Sequence, residues 1–86
     1  MRKTQGSFSY VYILHSLTHP DQTYIGLSDN LNARLTAHNS GQCKHTSRYR
    51  PWRIETAISF RSRDKAAAFE KYLKIGSGQA FAKKHF

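Results

Sequence analysis

The segment "YIGLSDNLNARLTAHNSG", Tyr24 to Gly41, decides how this 86-residue chain is read. It begins inside a short apolar stretch, "QTYIGL" (Gln22 to Leu27), which reads as a strand. Helix signals follow at once. Ser28 or Asp29 can cap a first turn, Leu31 and Leu35 are four apart and form an apolar stripe, and Gly41 suits a C-terminal stop. Arg34 and His38 are also four apart, on a different face from the leucines. A helix this polar is a poor core element. Its pattern is that of a helix that presents side chains.

The flanking sequence extends the pattern. Upstream, "FSYVYIL" (Phe8 to Leu14) is aromatic and β-branched at nearly every position, as expected of a central strand covered on both faces. The polar "HSLTHPD" joins it to the next strand, which predicts an antiparallel hairpin. Downstream, "QCKHTSRYRP" reads as a basic loop. "WRIETAISF" (Trp52 to Phe60) alternates, with Trp52, Ile54, Ile58 and Phe60 on one face and Arg53, Glu55 and Ser59 on the other, as in a half-buried edge strand. Ser62 caps a helix over "DKAAAFEKYLK", with Asp64 in its first turn and Ala66, Phe69 and Leu73 facing the core. "IGSG" ends that helix, and "QAFAKKHF" forms a last short one with Phe81 and Phe86 docking. The expected fold class is α+β: a small three-stranded antiparallel sheet flanked by helices, in the order β-β-α-β-α-(α). A basic tail over residues 1–7 precedes a single thin-cored domain over residues 8–86.

Fourteen Lys and Arg against five Asp and Glu give a net charge of +9, a field that attracts polyanions. Nucleic acid fits better than a membrane. No apolar run approaches the roughly 18 residues of a spanning helix, and no basic helix with a bulky apolar face is visible. The lone Cys43 allows no internal disulfide, and no signal-peptide core follows the N-terminus, so a cytoplasmic protein is expected. Arg48, Tyr49, Arg50, Trp52 and Arg53 interleave cations with aromatics, a pattern that can hold a phosphate backbone and stack on an unpaired base. Trp52 reads equally well as a core residue. Lys71, Lys74, Lys83 and Lys84 form a second basic group. Cys43 and His45, with His38, fall short of the four ligands of a structural zinc site.

Taken in order, Tyr10-Val11-Tyr12, Tyr24-Ile25-Gly26, Arg34 and His38, "HTSRYRPW" and Glu70 resemble the GIY-YIG nuclease family over roughly Tyr10 to Lys74. The likeness is to compact stand-alone members and to the N-terminal nuclease domain of the bacterial excision-repair incision subunit. It implies a metal-dependent DNA endonuclease of repair or recombination that hydrolyses phosphodiester bonds. Without an attached DNA-recognition domain, selectivity for structure rather than sequence is expected. The substrate would be branched, nicked or damaged duplex DNA, with a protein partner as a further source of specificity.

The resemblance also implies roles. Glu70 would hold one divalent cation, Mg²⁺ or Mn²⁺. Arg34 would pair with the scissile phosphate, Tyr12 or Tyr24 would act as base, and His38 would accept or relay the proton. Gly26 would allow a tight turn from strand to helix and a close approach of phosphate. Arg48, Arg50, Trp52, Arg53, Lys71 and Lys74 would contact nucleic acid. The chain departs from the family pattern at Tyr10, where a glycine is usual, and at Leu27, where some relatives have lysine. No asparagine follows Asn39. Each residue alone has a plainer account: tyrosines packing a sheet, a solvated Arg34, a surface His38, a Glu70–Lys74 pair at i,i+4. The ordered set carries the reading. The alternatives are a non-catalytic nucleic-acid-binding module and a nuclease subunit activated by a partner.

Overall fold

A computed structural model describes residues 8–86. The expected basic tail, residues 1–7, lies outside the described residues. The elements run β1 (Ser9–Ser16), β2 (Thr23–Ser28), α1 (Leu31–Asn39), α2 (Lys44–Ser47), β3 (Trp52–Phe60), α3 (Arg63–Leu73) and α4 (Gly76–His85). The sheet order is β2-β1-β3 with both pairings antiparallel, so β1 is central as its unbroken apolar run requires.

Successive side chains of β1 feed two cores, one on each face. Tyr12 and Leu14 pack with Trp52, Tyr24, Leu31, Leu35, Tyr49 and Ile54, which places α1 on that face. Val11 and Ile13 pack with Ala66, Leu73, Phe69, Phe60 and Phe81, which places α3 and α4 on the other. Ala66 and Leu73 are fully buried, as their spacing predicts. The Ser62 side chain accepts from Lys65 N–H and caps α3, with Asp64 in the first turn.

Four local expectations are corrected. The cap of α1 is Asn30, whose side chain accepts from Ala33 N–H, while Ser28 closes the turn just before it by accepting from Asn30 N–H at 2.9 Å. The basic loop contains the short helix α2. The last helix starts at Gly76 rather than after "IGSG", because Ile75, in extended conformation, already starts the helical ladder through its carbonyl to Gln79 N–H at 2.7 Å.

The fourth correction concerns β3. Its residues do not all keep to one face, because the register against β1 slips between Ile13 and Leu14: Ile13 faces Thr56, whereas Leu14 faces Ile54. Glu55 is the extra residue of a β-bulge, and a bulge turns the strand over. Trp52 and Ile54 therefore lie with Tyr12 and Leu14. Ile58 and Phe60, paired with Val11 and Ser9, lie on the opposite face. The even spacing from 54 to 58 concealed the switch.

Candidate active site

The site is built on the face that carries α1. Tyr12 projects from the middle of β1 and Tyr24 from β2, with ring centroids 6.3 Å apart. Opposite Tyr12 on β2 stands Gly26. A Cβ built there would overlap the Tyr12 hydroxyl and ring. The glycine is thus buried inside the strand, not at a turn, and the space above it belongs to the Tyr12 phenol rather than to a phosphate. That corrects the turn role expected for Gly26.

Helix α1 crosses this face with its leucines on the core and is capped by Ser40, followed by Gly41, whose φ of 86° is the left-handed conformation that favours glycine. His38, the next-to-last residue of the helix, is fully buried. It does not look out into a cleft. Its ring packs 4.9 Å from the Tyr24 ring and 6.0 Å from that of Tyr12. His38 Nε2 lies 3.1 Å from Tyr12 Oη, and Nδ1 lies 2.8 Å from Thr46 Oγ1. Thr46, on α2, is also buried. Its backbone carbonyl accepts from Trp52 Nε1–H at 2.8 Å, and its hydroxyl reaches the Cys43 carbonyl at 3.3 Å.

Arg34 completes the group. Its guanidinium lies beside the Tyr12 hydroxyl, which raises its pKa, with Tyr24 adding to the effect. Its Nε is buried and has no hydrogen-bond partner among the described residues. Burial raises the Tyr12 pKa, partly opposed by Arg34, so this phenol is held protonated. Burial, reinforced by the Arg34 charge, lowers the His38 pKa and keeps that imidazole neutral.

Glu70 is not joined to this group by a hydrogen bond. It lies on α3, which packs on the other face of the sheet, and its Oε2 pairs with Lys74 Nζ at 2.8 Å. A lone carboxylate suits a hard cation that keeps most of its water, so the donor chemistry of Glu70 fits Mg²⁺ or Mn²⁺. Among the described residues no group of three or more His, Cys, Asp or Glu could hold a metal.

The basic residues divide between the faces. Arg48 and Arg50 are exposed on the segment after α2, beside the site, with Arg48 5.9 Å over the Tyr49 ring. Arg53 is exposed and pairs with Glu55 at 3.0 Å. Lys71 and Lys74 are exposed on α3. Trp52 is a correction: it is 4% exposed, and both its indole N–H and its backbone are committed inside the protein, so it offers no stacking surface.

Two residues that sequence reasoning passed over matter here. Thr46 holds the far side of His38. Asn39, at the end of α1, clamps the start of β3 by accepting from Trp52 N–H at 2.6 Å and donating to its carbonyl at 3.0 Å. A threonine and an asparagine in polar segments carry no signal of such partners until the fold brings them together.

The architecture and this tyrosine, arginine and histidine group define a small nuclease-type domain. The family model for the GIY-YIG catalytic domain matches residues 8–84, nearly the whole chain, and the protein belongs to the GIY-YIG family of nucleases. No curated protein and no solved structure matches it. Members of the family generally use divalent metal ions and act on DNA. Among the described residues no helix is long and apolar enough to cross a membrane.

Proposed function

We infer that this chain is a metal-dependent DNA endonuclease, selective for branched, nicked or damaged duplex and working in repair or recombination. The observation that carries the reading is Arg34: a partly exposed, charged guanidinium whose Nε is buried and has no partner among the described residues, held next to two tyrosines inside a nuclease fold. A buried donor left unpaired is costly, and an incoming phosphate oxygen would satisfy it. The +9 net charge favours a polyanionic substrate.

The roles follow from exposure and charge. Arg34 offers its planar donors to the scissile phosphate and offsets the charge that builds there during attack. Tyr24 is half-buried, whereas Tyr12 is 2% exposed. Tyr24 is therefore the phenol positioned to meet water and take its proton. Tyr12 and His38 act from beneath, where the Tyr12 oxygen braces the guanidinium. Glu70, although carried by the helix on the opposite face of the sheet, is the carboxylate that would hold the divalent ion, which when bound would supply positive charge to the reaction. Lys74 has to release Glu70 for that to happen. Arg48 and Arg50 would track the DNA backbone next to the site, while Arg53, Lys71 and Lys74 would widen the footprint or meet a protein partner that adds specificity.

The deciding experiment is nicking of supercoiled plasmid and of a labelled branched duplex, with Mg²⁺, Mn²⁺ or EDTA. Wild type is compared with Arg34→Ala, Tyr24→Phe and Glu70→Gln. Cleavage that needs metal and is lost in the three variants is expected. A folded wild type that binds DNA without cutting it would replace this reading with the binding module.

A further inference from the structure

The polar groups behind Arg34 form a chain whose direction is fixed from both ends. At one end, the Tyr12 hydroxyl is buried and must donate its proton somewhere. Arg34 carries only donors. Among the described residues the acceptor within hydrogen-bond distance is His38 Nε2, at 3.1 Å. In this arrangement Nε2 accepts and is unprotonated, and a neutral imidazole then carries its proton on Nδ1.

At the other end, the Thr46 hydroxyl has one proton and donates it to the Cys43 carbonyl at 3.3 Å. Its oxygen is left to accept from His38 Nδ1–H at 2.8 Å. Both ends thus select the same tautomer. The Thr46 backbone is itself anchored, with its N–H on the Cys43 carbonyl at 3.2 Å and its carbonyl on the Trp52 indole.

We propose that Thr46 is a positioning residue: by accepting from His38 Nδ1–H it fixes the imidazole tautomer, turns the Tyr12 proton toward Nε2, and so leaves the lone pairs of Tyr12 Oη facing Arg34. The donors all run one way, from the Arg34 guanidinium through Tyr12, His38 and Thr46 to the Cys43 carbonyl. In the opposite tautomer His38 Nε2–H would donate to Tyr12, and the Tyr12 proton would be driven toward the guanidinium it now braces. The effect on cleavage rests on the proposed nuclease reading. The tautomer does not.

The test combines side-chain nitrogen NMR of the ¹⁵N-labelled full chain with cleavage kinetics. Above its pKa, His38 in wild type should show a protonated Nδ1 and a pyridine-like Nε2. Thr46→Val keeps the shape but removes the acceptor. Both ring nitrogens should then move toward averaged values, and kcat/KM should fall about tenfold or more, as when a buried partner no longer fixes a histidine tautomer. Thr46→Ser should restore both readouts, which a loss of packing alone would not predict. An Nε2–H tautomer in wild type, or an unchanged Nδ1–H tautomer in a folded Thr46→Val protein, overturns the proposal. If wild type does not cleave at all, the nuclease reading fails, and the ring nitrogens still decide the role of Thr46.

Discussion

The hydrogen bond between Tyr12 Oη and His38 Nε2, 3.1 Å long, joins the central strand to the helix that carries Arg34. Both residues are buried, so neither can exchange its partner for water. Tyr12→Phe keeps the ring and removes the bond. It leaves Nε2 unpaired, which should destabilise the fold by about 1–3 kcal/mol. It also removes the oxygen beside Arg34, so cleavage should fall further than the stability loss explains. Urea unfolding and nicking assays on the same preparation measure the two effects.

Gly26 and Tyr12 should behave as a coupled pair. A Cβ at position 26 occupies the place of the Tyr12 hydroxyl and ring. Gly26→Ala should therefore cost about 1–3 kcal/mol, the usual scale of overpacking, and displace the phenol from His38. In a background where Tyr12 is already alanine the same change meets open space and should cost far less. A double-mutant cycle in urea reads this directly, and additive single effects would show that the ring does not lie on the glycine.

Much of the frame was legible because it depends on local periodicity. The unbroken run through Val11–Leu14 forecast a central strand, and the 66, 69, 73 spacing forecast the buried face of α3. The bulge at Glu55 was not legible, since an inserted residue leaves no trace when apolar residues still fall at even spacing. In the site, Tyr12, Tyr24, Arg34 and His38 could be grouped by motif, but not layered. Which tyrosine is buried and which is open depends on the Gly26 contact across the hairpin. Thr46 and the Trp52 indole found their partners only through packing between segments that the sequence presents as a polar loop.

The His38 environment sets a pH dependence with a definite sign. Its folded pKa lies below the ordinary value of about 6.5, from burial first and the Arg34 charge second. The other polar and titratable groups around it are Tyr12, Tyr24 and Thr46. In the unfolded chain the imidazole takes up its proton at higher pH than in the folded one, so the unfolded state gains relative stability as pH falls. The contribution of neutral His38 is whole above about pH 6.5 and is lost as pH drops through the folded pKa. Urea midpoints measured from pH 7.5 downward should decline in that window, and His38→Gln should flatten the decline. Cleavage should persist somewhat below pH 6.5, because the neutral ring survives there.

In the proposed nuclease reading, Lys74 competes with the metal for Glu70. The pair at 2.8 Å is on the surface, with the lysine side chain 48% exposed, so breaking it should scarcely change stability. Its effect should appear in metal dependence instead. Lys74→Met leaves the carboxylate unpaired and should lower the Mg²⁺ or Mn²⁺ concentration that half-saturates cleavage. Glu70→Gln removes the hard anionic ligand and should abolish that saturation at any accessible concentration. Lys74 is also one of the cations assigned to DNA, so the titration is run at saturating DNA to separate the two roles. A Lys74→Met protein with an unchanged metal midpoint would mean that the lysine already swings away when substrate binds, and that Glu70 meets the ion without competition.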